Sequence, residues 1–233
     1  MVPFVSLAVL AVLPFSLFVA FKFRSVYLKT SDVNIGYLYK SFLFFSIGLV
    51  FLSLPGLVVN DLKIIDLAYD IYPFFFTLAI AFFVNITFEI MHRAAIKKII
   101  FWLLVAGGLF ISVIPALNWG EAKTVYDGTA VFWEDTRGVL VNIVLGLIMT
   151  VPSFWFLLFF IWNGILGKEK AVKNRAFLMA TGMAFWLLLG LNDYIFGAFL
   201  NNAYVSVVTS VFGYAFVAFF LLAIKQQPQS FNA

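Results

Sequence analysis

Long apolar runs, separated by short polar segments, are the feature that most limits what this chain can fold into. Seven runs approach the ~20 residues that a helix needs to cross the hydrocarbon core of a bilayer. They are roughly 2–21, 41–59, 71–90, 99–117, 139–163, 177–199 and 203–224. We therefore predict an all-α, polytopic membrane protein. It consists of a seven-helix transmembrane domain over residues 1–225 and a short polar cytoplasmic tail at 226–233.

Composition supports this fold class and narrows the partners. The chain is 64% hydrophobic and only 11% charged, with a mean hydropathy of +1.06. It has no cysteine, which excludes disulfides, thiolate metal sites and cysteine nucleophiles. The basic residues flank apolar runs, so the net charge of +4 does not indicate a nucleic-acid partner. We expect a multi-pass protein in a bacterial or archaeal inner (plasma) membrane, with the lipid bilayer as its first partner.

The distribution of basic residues predicts the orientation of the spans. Twelve of the 15 Lys and Arg residues lie in segments 22–40, 89–98 and 164–176 or at Lys225. Because Lys and Arg accumulate on the cytoplasmic side of membrane proteins, this pattern gives an outside N-terminus and an inside C-terminus. We assign Asp61, Asp66 and Asp70 to the outer segment that follows the second run.

The longest outer segment, residues 118–138, mixes aromatic and charged residues. Trp119, Tyr126, Phe132 and Trp133 fit aromatic anchors at the membrane interface. A segment of this length also fits a structured cap over an outward-facing pocket. The sequence leaves both interpretations open.

An ionisable residue inside the sixth run is the main clue to a site. Asp193 lies in "LLLGLNDYIFGAF" (187–199), where it shares one helix face with Gly182, Trp186, Gly190 and Gly197. Small residues allow another helix to approach closely, so this carboxylate faces protein rather than lipid.

The fifth run has a similar stripe, which starts at Asn142 and contains small residues one and three turns later. We predict an outward-opening ligand site formed by Asn142, Asn192, Asp193 and Tyr194. The alternative is a hydrogen-bonded clamp between helices that holds no ligand.

A second polar stripe descends the third run to the inner surface. It contains Asn85, Glu89 and His92, with Thr77 and Ala81 above them. Glu89 and His92 have the spacing of di-metal helical bundles, but such sites need two copies. We therefore predict no metal, an ion pair between Glu89 and Arg93 at i, i+4, and a headgroup-level His92.

Enzyme chemistry has little support in the sequence. No nucleophile has a positioned base, and no H-E-x-x-H pattern is present. The last run also lacks the lysine that a retinal Schiff base requires. We predict a non-enzyme without catalytic residues and without a cofactor.

Residues 173–224 resemble the last two helices of the seven-helix sensor regions that precede bacterial histidine kinases and diguanylate cyclases. The residues that carry the resemblance are Lys173, Arg175, the segment 190–193, Gly197, Asn201, Asn202 and Tyr214. The resemblance implies a membrane-embedded sensor or ligand-binding module that acts through a separate partner.

Two other functions remain open. Pro14 and Pro152 lie in loosely similar sequences, "VLPFSLF" and "TVPSFWF". A proline at matching positions of two three-helix repeats is similar to the arrangement in seven-helix sugar facilitators of 3+1+3 type. Those families place Gln after the proline, where Phe15 and Ser153 stand here. The third function is a non-catalytic membrane subunit or scaffold, bound to a protein partner or to itself as a homo-oligomer.

Overall fold

The structure is a computed structural model that describes residues 4–59, 61–117, 123–126, 131–134, 139–192 and 203–225. These residues form helices apart from one antiparallel hairpin. The helices are α1 (Phe4–Thr30), α2 (Val33–Ser53), α3 (Pro55–Val58), α4 (Leu62–Ile90), α5 (Ala94–Leu117), α6 (Val139–Leu166), α7 (Lys170–Gly190) and α8 (Ala203–Lys225). The hairpin strands are β1 (Lys123–Tyr126) and β2 (Val131–Glu134). The predicted tail at 226–233 lies outside the described residues.

Six stretches of the described chain are long and apolar enough to cross a membrane. They are Ser6–Thr30, Val33–Val58, Leu62–Ile90, Ala94–Leu117, Val141–Leu166 and Val207–Lys225. Most of their outward-facing residues are large and apolar, as is expected where the surroundings are lipid. These six candidate spans support a multi-pass helical membrane protein.

Helix α7 is not among these six. Its first turns contain Lys170, Lys173 and Arg175, so the apolar part of the described helix covers only residues 176–190. That length falls short of the ~20 residues of a full span. The rest of the predicted run, up to residue 199, lies in the part that the structure does not describe.

The helices are longer than the apolar runs, because polar caps start them early. Asp32 accepts a hydrogen bond from the Asn34 amide at 2.8 Å and caps α2, only two residues after α1 ends. Asp61 caps α4 in the same way through the Lys63 amide at 2.9 Å. The segment 22–40, which separates two spans in the sequence, is therefore almost entirely helical.

Six helices form a closed ring in chain order: α1, α2, α4, α6, α7 and α8, with α8 returning to α1. Helix α5 packs outside the ring against α4 and touches α6 only lightly. The short described turns at 31–32, 91–93 and 167–169 make the helices that they join antiparallel. We call the end where α1, α4, α6 and α8 begin the hairpin end, because it includes β1 and β2. The opposite end, with turns 31–32, 91–93 and 167–169 and Lys225, is the basic end.

Aromatic side chains fill the middle of the ring. Phe42 of α2 stacks on Phe216 of α8 with ring centroids 5.3 Å apart, and Phe45 meets Trp186 of α7 at 5.0 Å. We call the full set the aromatic layer, and each member is at most 2% exposed: Phe42, Phe45, Phe76, Phe83, Phe156, Trp186, Phe216 and Phe220. The layer separates the two ends of the ring interior.

The small-residue face of α7 is buried as predicted, but it contacts two helices rather than one. A β-carbon at Gly182 would lie 2.8 Å from Cδ2 of Phe220 on α8. One at Gly190 would lie 3.0 Å from Cγ2 of Thr150 on α6. Glycine therefore permits close approach on both sides of α7.

Candidate functional site

A buried polar stripe runs along most of α4. Its members recur every three or four residues and are all buried: Asp66, Asp70, Pro73, Thr77, Ala81 and Asn85. Asp66 and Asp70 are both 0% exposed. The assignment of these two residues to a connecting segment was wrong, because α4 begins at Leu62 behind its Asp61 cap. The stripe brings two carboxylates into the bundle.

Contacts in the middle of the stripe show which helices it faces. The Thr77 hydroxyl donates to the Pro73 carbonyl at 2.8 Å and lies 3.8 Å from Sδ of Met149 on α6. A β-carbon at Gly108 of α5 would lie 2.8 Å from Cβ of Thr77. The stripe therefore faces the junction of α4, α5 and α6.

Two further polar side chains lie on the hairpin-end side of the Thr77 contacts, on α5 and α6. Thr77 of α4 lies beside Met149 of α6, and the two helices run in the same direction. Asp70 is two turns before Thr77 and Asn142 is two turns before Met149, so Asp70 and Asn142 lie at a similar height in the bundle. Ser112 lies one turn beyond Gly108 towards the hairpin end. We call Asp66, Asp70, Ser112 and Asn142 the polar junction.

Two oxygen atoms of the polar junction have no hydrogen-bond partner among the described residues. Within the part of the chain that the structure describes, Asn142 Oδ1 and Ser112 Oγ are buried and make no hydrogen bond. A buried polar atom without a partner costs free energy, so it marks a place where water or a ligand completes the bonding.

The polar junction is rich in hydrogen-bond acceptors. It presents two carboxylates, an amide oxygen and a hydroxyl, and the buried Tyr69 and Tyr72 lie on the same helix as the carboxylates. Asp66, Asp70 and both tyrosines also have interactions within the chain. Such a set suits a small molecule with positive charge and several N–H donors.

Two residues of the predicted outer site, Asn142 and Asn192, lie in the described part of the chain. Asn192 donates to the Thr209 hydroxyl of α8 at 2.9 Å, the type of clamp expected without a ligand. Met149, two turns after Asn142 on the same face of α6, contacts Thr77 of α4 and would lie 4.0 Å from a β-carbon at Gly190 of α7. Asp193 and Tyr194 lie outside the described residues.

The inner polar stripe differs from its prediction at Glu89. Its carboxylate pairs with Lys97 of α5, which also donates to the Tyr37 hydroxyl of α2 at 3.3 Å. The predicted Glu89 to Arg93 pair does not form, because α4 ends at Ile90 and the chain turns through His92, whose φ is 53°. His92 is exposed, whereas Asn85 is buried with its Oδ1 unbonded among the described residues.

The described residues contain no group of three or more His, Asp and Glu side chains placed to hold a metal ion. They do form an apolar groove of about 550 Å³ between α6 and α7 on the outer surface of the ring. The groove is lined by residues before and after Pro152 in the sequence of α6 and by residues at the end of α7. They are Thr150, Val151, Phe154, Leu157, Ala184, Leu187, Leu188 and Leu191. This groove suits hydrocarbon and is separate in character from the polar junction.

No known protein-family model matches the chain, and no curated protein matches it either. Function is therefore inferred from the geometry of the polar junction and from the charge distribution.

Proposed function

We propose that this protein is a membrane-embedded ligand-binding and sensing module whose polar junction takes a small cationic molecule. The observation that carries the proposal is the complete burial of Asp66 and Asp70 in a helix that is a candidate membrane span. Ionisable side chains in such helices are costly and are kept mainly at functional sites. The oxygens of Ser112 and Asn142, which are unbonded within the described residues, add further acceptors on the neighbouring helices.

The proposal includes a seven-span topology with the hairpin end outside. The concentration of Lys and Arg at the basic end supports a cytoplasmic location for that end. In this topology the sixth span is the predicted apolar run 177–199, of which α7 is the described part. With this orientation the polar junction lies in the outer half of the bundle, on the side where a sensor would meet an external molecule.

Signalling would pass through helix packing. The aromatic layer closes the ring interior beneath the polar junction, so a bound molecule acts by shifting helices. Helix α4 connects the polar junction to the basic end and packs against α2, α5 and α6. A protein partner bound at the basic end would respond to this shift of the helices. Such a partner agrees with the resemblance of residues 173–224 to sensor regions.

A thermal-shift measurement tests the ligand class. The purified protein is heated with matched sets of small cationic, zwitterionic and anionic compounds. We expect cationic compounds alone to raise the melting temperature, and Asp70→Asn to abolish the shift. Asp61→Asn is the matched control, since it removes one exposed charge at the same end and keeps a good helix cap. Equal shifts for wild type and Asp70→Asn would contradict the proposal.

A transporter of 3+1+3 type is the second candidate. Helices α1, α2 and α4 form one consecutive triplet and α6, α7 and α8 another, while α5 connects them from outside the ring. Buried polar groups also lie on both sides of the aromatic layer, at Asp70 and Asn85. Proteoliposomes distinguish the two functions: a transporter accumulates the cationic compound found by thermal shift, whereas a sensor binds it without uptake.

A further inference from the structure

The basic end carries far more positive than negative charge. Twelve Lys and Arg residues lie there against three acidic residues, Asp32, Glu89 and Glu169. Two of these acidic residues are already engaged. Glu89 pairs with Lys97, and Asp32 caps α2. Burial lowers the pKa of Arg175, and the nearby charge of Asp32 opposes that lowering.

The α6–α7 turn holds three lysines, Lys168, Lys170 and Lys173, against one carboxylate, Glu169. Lys168, Lys170 and Lys173 are exposed, and none of them forms an ion pair within the described chain. They lie directly beyond the candidate span that ends at Leu166. Their positive charges are therefore available to a partner at the membrane surface.

Exposed apolar side chains surround these lysines. Ile165 and Leu166 are each 60% exposed on the last turn of α6, and Val172 is exposed on the first turns of α7. Basic groups directly beside exposed aliphatic groups at the end of a span match the boundary between headgroups and acyl chains. A phospholipid covers both kinds of group, because its phosphate meets the lysines and its acyl chains meet the aliphatic side chains.

We propose that the α6–α7 turn is a binding site for anionic phospholipids. Lys168, Lys170 and Lys173 contact the headgroup phosphates, while Ile165 and Leu166 lie among the upper parts of the acyl chains. Anionic lipids give the cytoplasmic leaflet a negative potential that attracts such clusters. This inference stands on its own residues and is independent of the polar junction.

Competitive lipid binding tests the site. The purified chain is mixed with equal amounts of phosphatidylglycerol and phosphatidylcholine that carry the same acyl chains, and native mass spectrometry gives the ratio retained. We expect the wild type to retain phosphatidylglycerol preferentially. Lys170→Gln should lower this ratio by up to about fivefold, which is the effect of one charge at an anionic surface. A triple variant should lower it further; it combines Lys168→Gln, Lys170→Gln and Lys173→Gln. High salt should also lower it.

Lys123→Gln is the matched control, since it removes one exposed positive charge from the hairpin end. It should leave the ratio unchanged. Equal retention of both lipids by the wild type, or a wild-type ratio in the triple variant, would overturn the proposal. Either result would favour an acidic protein as the partner of this turn.

Discussion

A single missing β-carbon sets how closely α5 approaches α4. At Gly108 a β-carbon would lie 2.8 Å from Cβ of Thr77, an atom that cannot move without its backbone. At the neighbouring Gly107 it would meet only Cδ1 of Ile148 at 3.5 Å, an ordinary contact. We expect Gly108→Ala to lower the free energy of unfolding by about 1–3 kcal/mol, as overpacking does. Gly107→Ala should be neutral or slightly stabilising. Thermal unfolding in detergent measures both, and equal stabilities would contradict this packing.

At the same scale, Asp66 and Asp70 show what sequence reasoning missed and what would have found it. They continue the spacing of Thr77, Ala81 and Asn85 towards the hairpin end, so the stripe was visible in the sequence. The span was instead predicted to begin at residue 71, because the two carboxylates lower the mean hydropathy of any sequence window that contains them. Ser112 gave no comparable signal, since its position depends on how α5 packs against α4.

At the level of elements, the aromatic layer holds the helices together through ring packing. Phe42 of α2 is fully buried and contacts rings of α1, α4 and α8. We expect Phe42→Ala to lower the free energy of unfolding by about 3–5 kcal/mol, because it leaves a cavity among rigid neighbours. Phe110→Ala is the control, since Phe110 is 67% exposed on α5 and faces the surroundings. A similar loss of stability in both variants would contradict the central role of the layer.

Helix positions were predictable from the sequence to a greater extent than helix lengths. The described part of each apolar run is helical, but α1 and α2 extend beyond their runs and meet at Ser31 and Asp32. Hydropathy detects the part of a helix that needs lipid, whereas its ends depend on caps such as Asp32 and Asp61. The hairpin of β1 and β2 was not predicted as strands, since its segment is short and rich in interfacial aromatics.

At the level of the whole molecule, the orientation in the membrane can be tested directly, because the chain has no cysteine of its own. Lys123→Cys and Lys168→Cys each introduce one exposed thiol, at the hairpin end and the basic end respectively. We expect a membrane-impermeant maleimide to label Lys123→Cys on intact cells, and to label Lys168→Cys only after permeabilisation. The reverse pattern would invert the topology, and labelling of both from outside would contradict a crossing by α6.

The arrangement of the helices goes beyond what one sequence could predict. Periodicity shows which face of α7 or α4 is buried, but it does not say which helix covers that face. Gly182 and Gly190 illustrate this, since one turns to α8 and the other to α6.

The most direct test of the ligand site compares what the wild type and Asp70→Asn carry out of their native membrane. Both proteins are purified in mild detergent, and their melting temperatures are compared to verify that the variant is folded. Each is then analysed by mass spectrometry for bound small molecules. The polar junction predicts a cationic compound in near-stoichiometric amount with the wild type, and its loss from Asp70→Asn. The same compound at the same occupancy in both proteins would contradict a site built on Asp70, as would the absence of any compound from the wild type.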